Sequence, residues 1–307
     1  MYKKFFGLRE APFSVNPDPR FLFRTRHSEE ALACLTYGIQ NRKGFVLLTG
    51  EVGTGKTTLL NKLFESLRGG RVATAFVFNS RLTSTQFLDF MMADFGITCD
   101  STLKGQVLLR LNQWLLERYR AGETAVLVVD EAQNLSAEVL EEIRLLTNLE
   151  TSTEKLLQIV LSGQPELEEK LKQPQLRQLR QRITLRSKTY PLTLEETHGY
   201  IAERLRIAGS DSQPLFTSEA VESLYRFARG IPRVINLLCE HALISAYVDE
   251  EKPVTATTVE QVAREFELHE IEPTAPPASV VGPAENSRLM ETLQNLATLM
   301  DRLRRSE

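Results

Sequence analysis

Residues 50–57 read Gly-Glu-Val-Gly-Thr-Gly-Lys-Thr, the spacing G-x-x-x-x-G-K-[ST], directly after a short apolar run from Phe45 to Thr49. Glycines at 50, 53 and 55 let a backbone curl until successive N–H groups converge on an anion, and a helix starting there adds the positive end of its dipole. Gly50, Glu51, Val52, Gly53, Thr54, Gly55, Lys56, Thr57 and Thr58 therefore form a candidate phosphate loop. Lys56 is the residue type that reaches the β and γ phosphates of a triphosphate, and the Thr57 hydroxyl suits Mg²⁺. A second group of reactive residues closes another apolar run: Ala125 to Val129 ends in Asp130 and Glu131, followed by Ala132 and Gln133. Adjacent carboxylates repel unless a cation sits between them and the solvent. The pair predicts a metal-orienting Asp130, working with Thr57, and a Glu131 that polarises water for in-line attack on a γ-phosphorus. The implied ligands are ATP and Mg²⁺.

These groups need a frame that delivers them to one place. Near-continuous apolar runs at 45–49, 74–78, 125–129 and 157–161, and a shorter one at 183–185, alternate with helical patterns. Five such runs separated by helices predict a parallel sheet covered on both faces. The opening thirty or so residues mix aromatics with Pro12, Pro17 and Pro19 and predict an irregular segment, with helix from Glu29 to Gln40. After Pro191 the pattern turns amphipathic and helical: 194–208, 218–229, 232–248 and 257–266. Thr193 and Glu196 make a capping box, Gly209 and Gly230 are candidate helix ends, and Pro232 suits a first turn. Residues 272–286 carry four prolines and read as an extended linker. Beyond it, Leu289, Leu293, Leu296, Met300 and Leu303 recur at steps of four and three, a short amphipathic helix. The predicted organisation is a nucleotide-binding α/β domain over 1–190, including an opening segment 1–28, a helical lid over 191–270, a linker over 271–287 and a terminal helix over 288–307.

Composition narrows the class without naming a partner. The 307 residues are 42% hydrophobic and 25% charged, with a net charge of −3, so no global field draws the chain to nucleic acid or to an anionic membrane. Cys34, Cys99 and Cys239 have no C-x-x-C spacing, which gives no zinc motif and no disulfide framework. No cleavable apolar leader opens the sequence, and no apolar run approaches the ~18 residues of a spanning helix. The expectation is a soluble, cytoplasmic protein, or one peripheral to the inner membrane through a partner.

Longer stretches carry a family likeness: FFGLREAPFSVNPDPRFLF near the start, GEVGTGKTT, VVDEAQNL, RLLTNLETSTEKLLQIVLSGQPEL, LRQLRQRIT and GIPRVINLLCEHAL. Over roughly residues 1–270 the chain resembles AAA+ ATPases, and within them the general secretion pathway protein A (ExeA/GspA) type. The resemblance implies an α/β P-loop NTPase fold with a five-stranded parallel sheet and an all-helical lid. It implies that Asn79, which on its residue type alone equally suits a turn, restrains Glu131. It places a γ-phosphate sensor at Ser162 or Gln164. It implies an arginine finger at Arg182, with Arg177 and Arg180 as neighbouring candidates, directed at the next subunit's nucleotide and worth ~10³–10⁵ in rate where such fingers are measured. Arg233, in GIPR, corresponds to a second sensor acting in cis. The function so implied is an oligomeric ATPase that couples nucleotide state to self-assembly and partner engagement in secretion or export, with residues 288–307 as a docking helix. The alternative is a DNA-associated ATPase regulator of the transposition target-selection (TniB/MuB) type, with Lys170, Lys172, Arg177, Arg180, Arg182, Arg186 and Lys188 facing the DNA. A small-molecule kinase fits poorly, because Glu131, a finger and a lid sensor all favour water as the acceptor.

Overall fold

Four apolar runs and one mixed segment form the strands of one parallel sheet: β1 (Phe45–Thr49), β2 (Val72–Val77), β3 (Thr124–Val129), β4 (Leu157–Gly163) and the mixed β5 (Leu185–Lys188). The computed structural model describes residues 1–268 apart from 68–69, 79–81, 102 and 211–213, all within one compact unit. The predicted linker and terminal helix, 271–307, and Asn79 lie outside the described residues. Strand order is β2-β3-β4-β1-β5. Inserting β4 between β1 and β3 brings the ends of three strands side by side, with Leu47 opposite Leu161 and Val129 opposite Leu161. Ligands of open α/β sheets bind beyond the carboxyl ends of strands at such reversals.

Burial explains which strands the sequence marks most clearly. Every residue of β1 and β4 is buried, and β3 is buried from Ala125 onward, as expected of inner strands covered on both faces. The edge strands β2 and β5 alternate between covered and exposed positions. That alternation is why β5 lies at 185–188 rather than the expected 183–185: its residues, LRSK, form no continuous apolar run.

The helices before the sheet's last strand are α1 (Tyr2–Phe5), α2 (Arg26–Gln40), α3 (Lys56–Leu67), α4 (Ser84–Asp94), α5 (Lys104–Arg120), α6 (Ala137–Leu146), α7 (Pro165–Leu171) and α8 (Arg177–Arg182). One face of the sheet is covered by α4, α5 and α6 through Phe87, Met91, Leu111 and Ile143; the other is covered by α2 and α3 through Leu35, Ile39, Leu59 and Leu63. Two departures from expectation have local causes. Helix α2 starts three residues early, because the Thr25 and Ser28 side chains each accept the other's backbone N–H in a capping box. The opening segment is not wholly irregular: the proline-free stretch at 2–5 forms a single turn packed on the later helices, with Tyr2 donating to Glu240 at 2.7 Å.

Among the described residues four helices follow the sheet: α9 (Leu194–Ile207), α10 (Ser218–Ala228), α11 (Pro232–Val248) and α12 (Ala256–Glu265). Thr193 and Glu196 cap α9 reciprocally, and Pro232 sits in the first turn of α11. Helix α10 ends on Arg229 in left-handed backbone, followed by Gly230 at φ +71°, where a Cβ would stand 1.9 Å from the Leu192 carbonyl oxygen. These helices share a core with Phe6, Leu8 and Phe13 of the opening segment. Among the described residues no helix is long and apolar enough to cross a membrane.

Candidate functional site

The loop between β1 and α3 is shaped by its glycines. Gly53 and Gly55 adopt φ +80° and +95°, which a residue with a Cβ resists. Gly50 has a different reason to be small: a Cβ there would stand 2.0 Å from the Thr189 hydroxyl. Thr189 in turn shares a 2.7 Å hydrogen bond with Thr54, whose hydroxyl donates to the Glu51 carbonyl at 2.8 Å. Among the described residues, the N–H groups of Gly53, Gly55, Lys56 and Thr57 make no backbone hydrogen bond, while Gly50 and Thr54 donate to Gly163 and Glu51. Unspent donors at the start of a twelve-residue helix are what a phosphate group would satisfy.

Lys56 is buried, its Nζ donating to the carbonyls of Gly50 at 2.7 Å and Glu51 at 3.0 Å. Burial pulls its pKa down, against the opposing pull of Glu131, Asp130, Glu51 and Glu166. Thr57 donates from Oγ1 to Asp130 Oδ2 at 3.4 Å, so the loop meets the end of β3. This hydroxyl and carboxylate form an all-oxygen set suited to Mg²⁺, which keeps several waters and takes few protein ligands. Among the described residues no group of three or more His, Cys, Asp or Glu side chains is gathered for a metal.

Glu131 follows Asp130 in left-handed backbone at φ 52°, ψ 35°, a conformation costing a non-glycine residue about 1–2 kcal/mol. Its N–H donates to Asp130 Oδ1 at 3.0 Å. Its carboxylate Oε2 accepts from Gln133 Nε2 at 2.5 Å and from Gln164 Nε2 at 3.2 Å. Gln133, quoted in the acidic motif but given no role from sequence, is thus a site residue; nothing in its type or spacing signals this. Of the two sensor candidates, Gln164 reaches Glu131, whereas the Ser162 hydroxyl is fully buried and has no hydrogen-bond partner among the described residues.

Arg233 sits in the first turn of α11, exposed, and its N–H donates to the Gly53 carbonyl at 3.2 Å. A cavity of about 410 Å³ lies between the loop and this helix and includes Glu131 and Arg233. Ser14, Phe21 and Phe23 of the opening segment and Tyr200 of α9 complete its wall. Its largest buried cation besides Lys56 is Arg204, whose Nε donates to the Pro12 carbonyl at 2.6 Å and which stacks 4.5 Å from the Phe21 ring centre. Val52 is half exposed at the loop's tip, and Thr58 is partly covered in the first turn of α3.

Arg182 stands apart from this cluster. It ends α8, is exposed, and donates to Asn148 Oδ1 at 3.2 Å; among the described residues it shares no hydrogen bond or ion pair with the loop or the acids. Of the other basic residues considered together, Lys188 pairs with Glu168 at 2.9 Å and Lys172 with Glu169 at 2.6 Å. Lys170 donates to the Gln133 carbonyl at 2.9 Å, and its burial lowers its pKa. Arg177, Arg180 and Arg186 are exposed.

A family model described as an AAA domain matches residues 39–171. General secretion pathway protein A of Aeromonas hydrophila is 48% identical over 248 residues, covering 80% of this chain and 45% of that protein. The chain therefore spans less than half the length of this relative. An ATP-dependent DNA helicase Pif1 of Psychrobacter sp. is 33% identical over 96 residues, 31% of this chain and 15% of that one. Among solved structures, Cdc6p from Pyrobaculum aerophilum matches with a TM-score of 0.66 at 19% identity, over 85% of this chain and 72% of that one. The ORC2 protein of Aeropyrum pernix, in ADPNP–ADP complexes, matches at 0.60 and 15%, over 81% and 70%. At such identities the structural likeness establishes the fold.

Proposed function

The chain is an AAA+ P-loop protein similar to general secretion pathway protein A, and from that premise we propose that it binds and hydrolyses ATP as a homo-oligomer, converting nucleotide state into assembly and partner engagement in secretion or export. One observation carries the reading: Thr57 and Asp130 meet at 3.4 Å beside buried Lys56, with the Glu131 carboxylate held one residue further on. Loop N–H groups and Lys56 take the phosphates, the lysine exchanging the Gly50 and Glu51 carbonyls for phosphate oxygens. Thr57 and Asp130 would hold Mg²⁺, which would supply neutralising charge to the phosphates. Glu131 accepts a proton from the attacking water as its oxygen bonds to the γ-phosphorus and the bond to the β–γ bridging oxygen breaks, giving ADP and phosphate. Arg233 answers the γ-phosphate from α11, and Arg182 of one subunit the nucleotide of the next. A domain boundary near residue 190 lets the later helices close on the nucleotide. The place of action is the cytoplasm, or the inner-membrane surface through a partner bound by residues 288–307.

The test is Glu131→Gln, assayed for phosphate release and for size by light scattering with and without ATP. The variant is expected to bind ATP, to turn over at least about 100-fold more slowly, and to accumulate as the larger species. Phosphate release at the wild-type rate would remove Glu131 from its role. A second reading, a DNA-associated ATPase, draws on exposed Arg177, Arg180 and Arg186. Duplex binding that weakens steeply with salt supports it, and no binding at low salt rejects it.

A further inference from the structure

The carboxylate of Glu131 is fastened by the two glutamines, and Gln133 is itself fastened at both ends. Its Nε2 donates to Glu131 Oε2 at 2.5 Å, while its Oε1 accepts the backbone N–H of Gln164 at 3.1 Å. Reversing the amide would set oxygen against carboxylate and NH₂ against N–H, so chemistry allows one orientation. Space for it is made by Gly163, where a Cβ would stand 2.8 Å from Gln133 Oε1. The backbone of the same turn is held as well, by Lys170 Nζ on the Gln133 carbonyl at 2.9 Å.

We infer that Gln133 is a positioning residue for ATP hydrolysis, tying Glu131 to the end of β4 so that one carboxylate oxygen is occupied and the other is left for the attacking water. The inference rests on Glu131 being the base. It assigns to a residue two positions along the same turn the restraint expected of Asn79. It also links the base to the strand end that carries both sensor candidates, since the N–H gripped by Gln133 belongs to Gln164. A shift of the β4–α7 junction is then carried to Glu131 directly.

The experiment compares Gln133→Leu, Gln133→Asn, Glu131→Gln and the double variant Glu131→Gln/Gln133→Leu in the full chain. Single-turnover and steady-state ATP hydrolysis are read alongside affinity for a fluorescent ATP analogue. Misplacing the base by about 1 Å costs on the order of 10²-fold, so Gln133→Leu should lower kcat by about 10- to 100-fold with nucleotide affinity unchanged. Gln133→Asn, one methylene too short to span both partners, should behave like Gln133→Leu. In the Glu131→Gln background the leucine should slow the residual rate no further, because no base is left to hold. Wild-type turnover by Gln133→Leu, with Glu131→Gln inactive, overturns the inference and leaves the base intact. An equal loss of affinity, or losses that add in the double variant, also overturns it in favour of plain structural damage. A fully active Glu131→Gln would instead remove the reading on which the inference stands.

Discussion

Gly53→Ala probes how closely the phosphate loop is joined to the start of α11. Gly53 lies at φ +80°, where a Cβ costs about 1–2 kcal/mol. The new Cβ would also stand 2.8 Å from Arg233 Cβ and 3.0 Å from Ile231 Cγ2, so the loop and the helix must separate. Overpacking of this kind costs about 1–3 kcal/mol. Gly55→Ala is the internal control: its φ is +95°, but nothing lies within 4 Å of the new carbon, so it bears the dihedral strain alone. The sum for Gly53→Ala is about 2–5 kcal/mol, against about 1–2 kcal/mol for Gly55→Ala. Calorimetry of the nucleotide-free protein should therefore place Tm for Gly53→Ala about 2–12 °C below that for Gly55→Ala. Equal melting temperatures would refute the close packing of loop on helix.

Further outcomes follow from the same contacts. Lys56→Ala should weaken ATP binding by about 100-fold or more in a calorimetric titration, since two charge-assisted contacts to phosphate are lost together. Arg182→Ala should bind ATP normally, yet its hydrolysis per subunit should no longer rise with protein concentration; a retained rise would argue against action between subunits. Glu168 is partly desolvated, which alone would raise its pKa, but the Thr49 hydroxyl at 2.6 Å and Lys188 hold it below the ordinary range. A lowered folded pKa gives stability that is present above the unfolded value of about 4.3 and is lost as pH falls through the lower folded one. The Tm advantage of the wild type over Glu168→Gln should thus be present at pH 7 and shrink below about pH 4.

The phosphate loop and the acid pair were readable because each couples an unusual residue spacing to an apolar run, and inner strands buried on both faces carry near-continuous apolar runs. Edge strand β5 lies further along than its apolar residues suggest, since its exposed positions admit Arg186 and Lys188, and α7, which Pro165 opens at its first position, is only seven residues long, too short for a repeating apolar pattern. The grip of Gln133 on Glu131 could not be read at all. It depends on a left-handed turn at a residue that is not glycine and on the vacancy left by Gly163 some thirty positions later, neither of which leaves a periodic or compositional trace. Ser162 and Gln164 are a parallel case: their types allow the same role, and only the strand's length, two residues beyond the apolar run, buries one and leaves the other able to reach the acid.

Thr189 hydrogen-bonds the loop through Thr54 and the sheet through the Thr49 carbonyl, while Thr193 already caps α9. Leu192 between them donates to the Gly230 carbonyl at 2.8 Å. The tether from strand to helix is thus a few residues long and stapled at both ends, giving a reach of roughly 3.3–3.6 Å per residue at full stretch. Such a short leash limits how far the start of α9 can move from the end of β5. On the proposed reading of these helices as a lid, opening and closing would be a turn about residues 190–191 rather than a slide along the sheet.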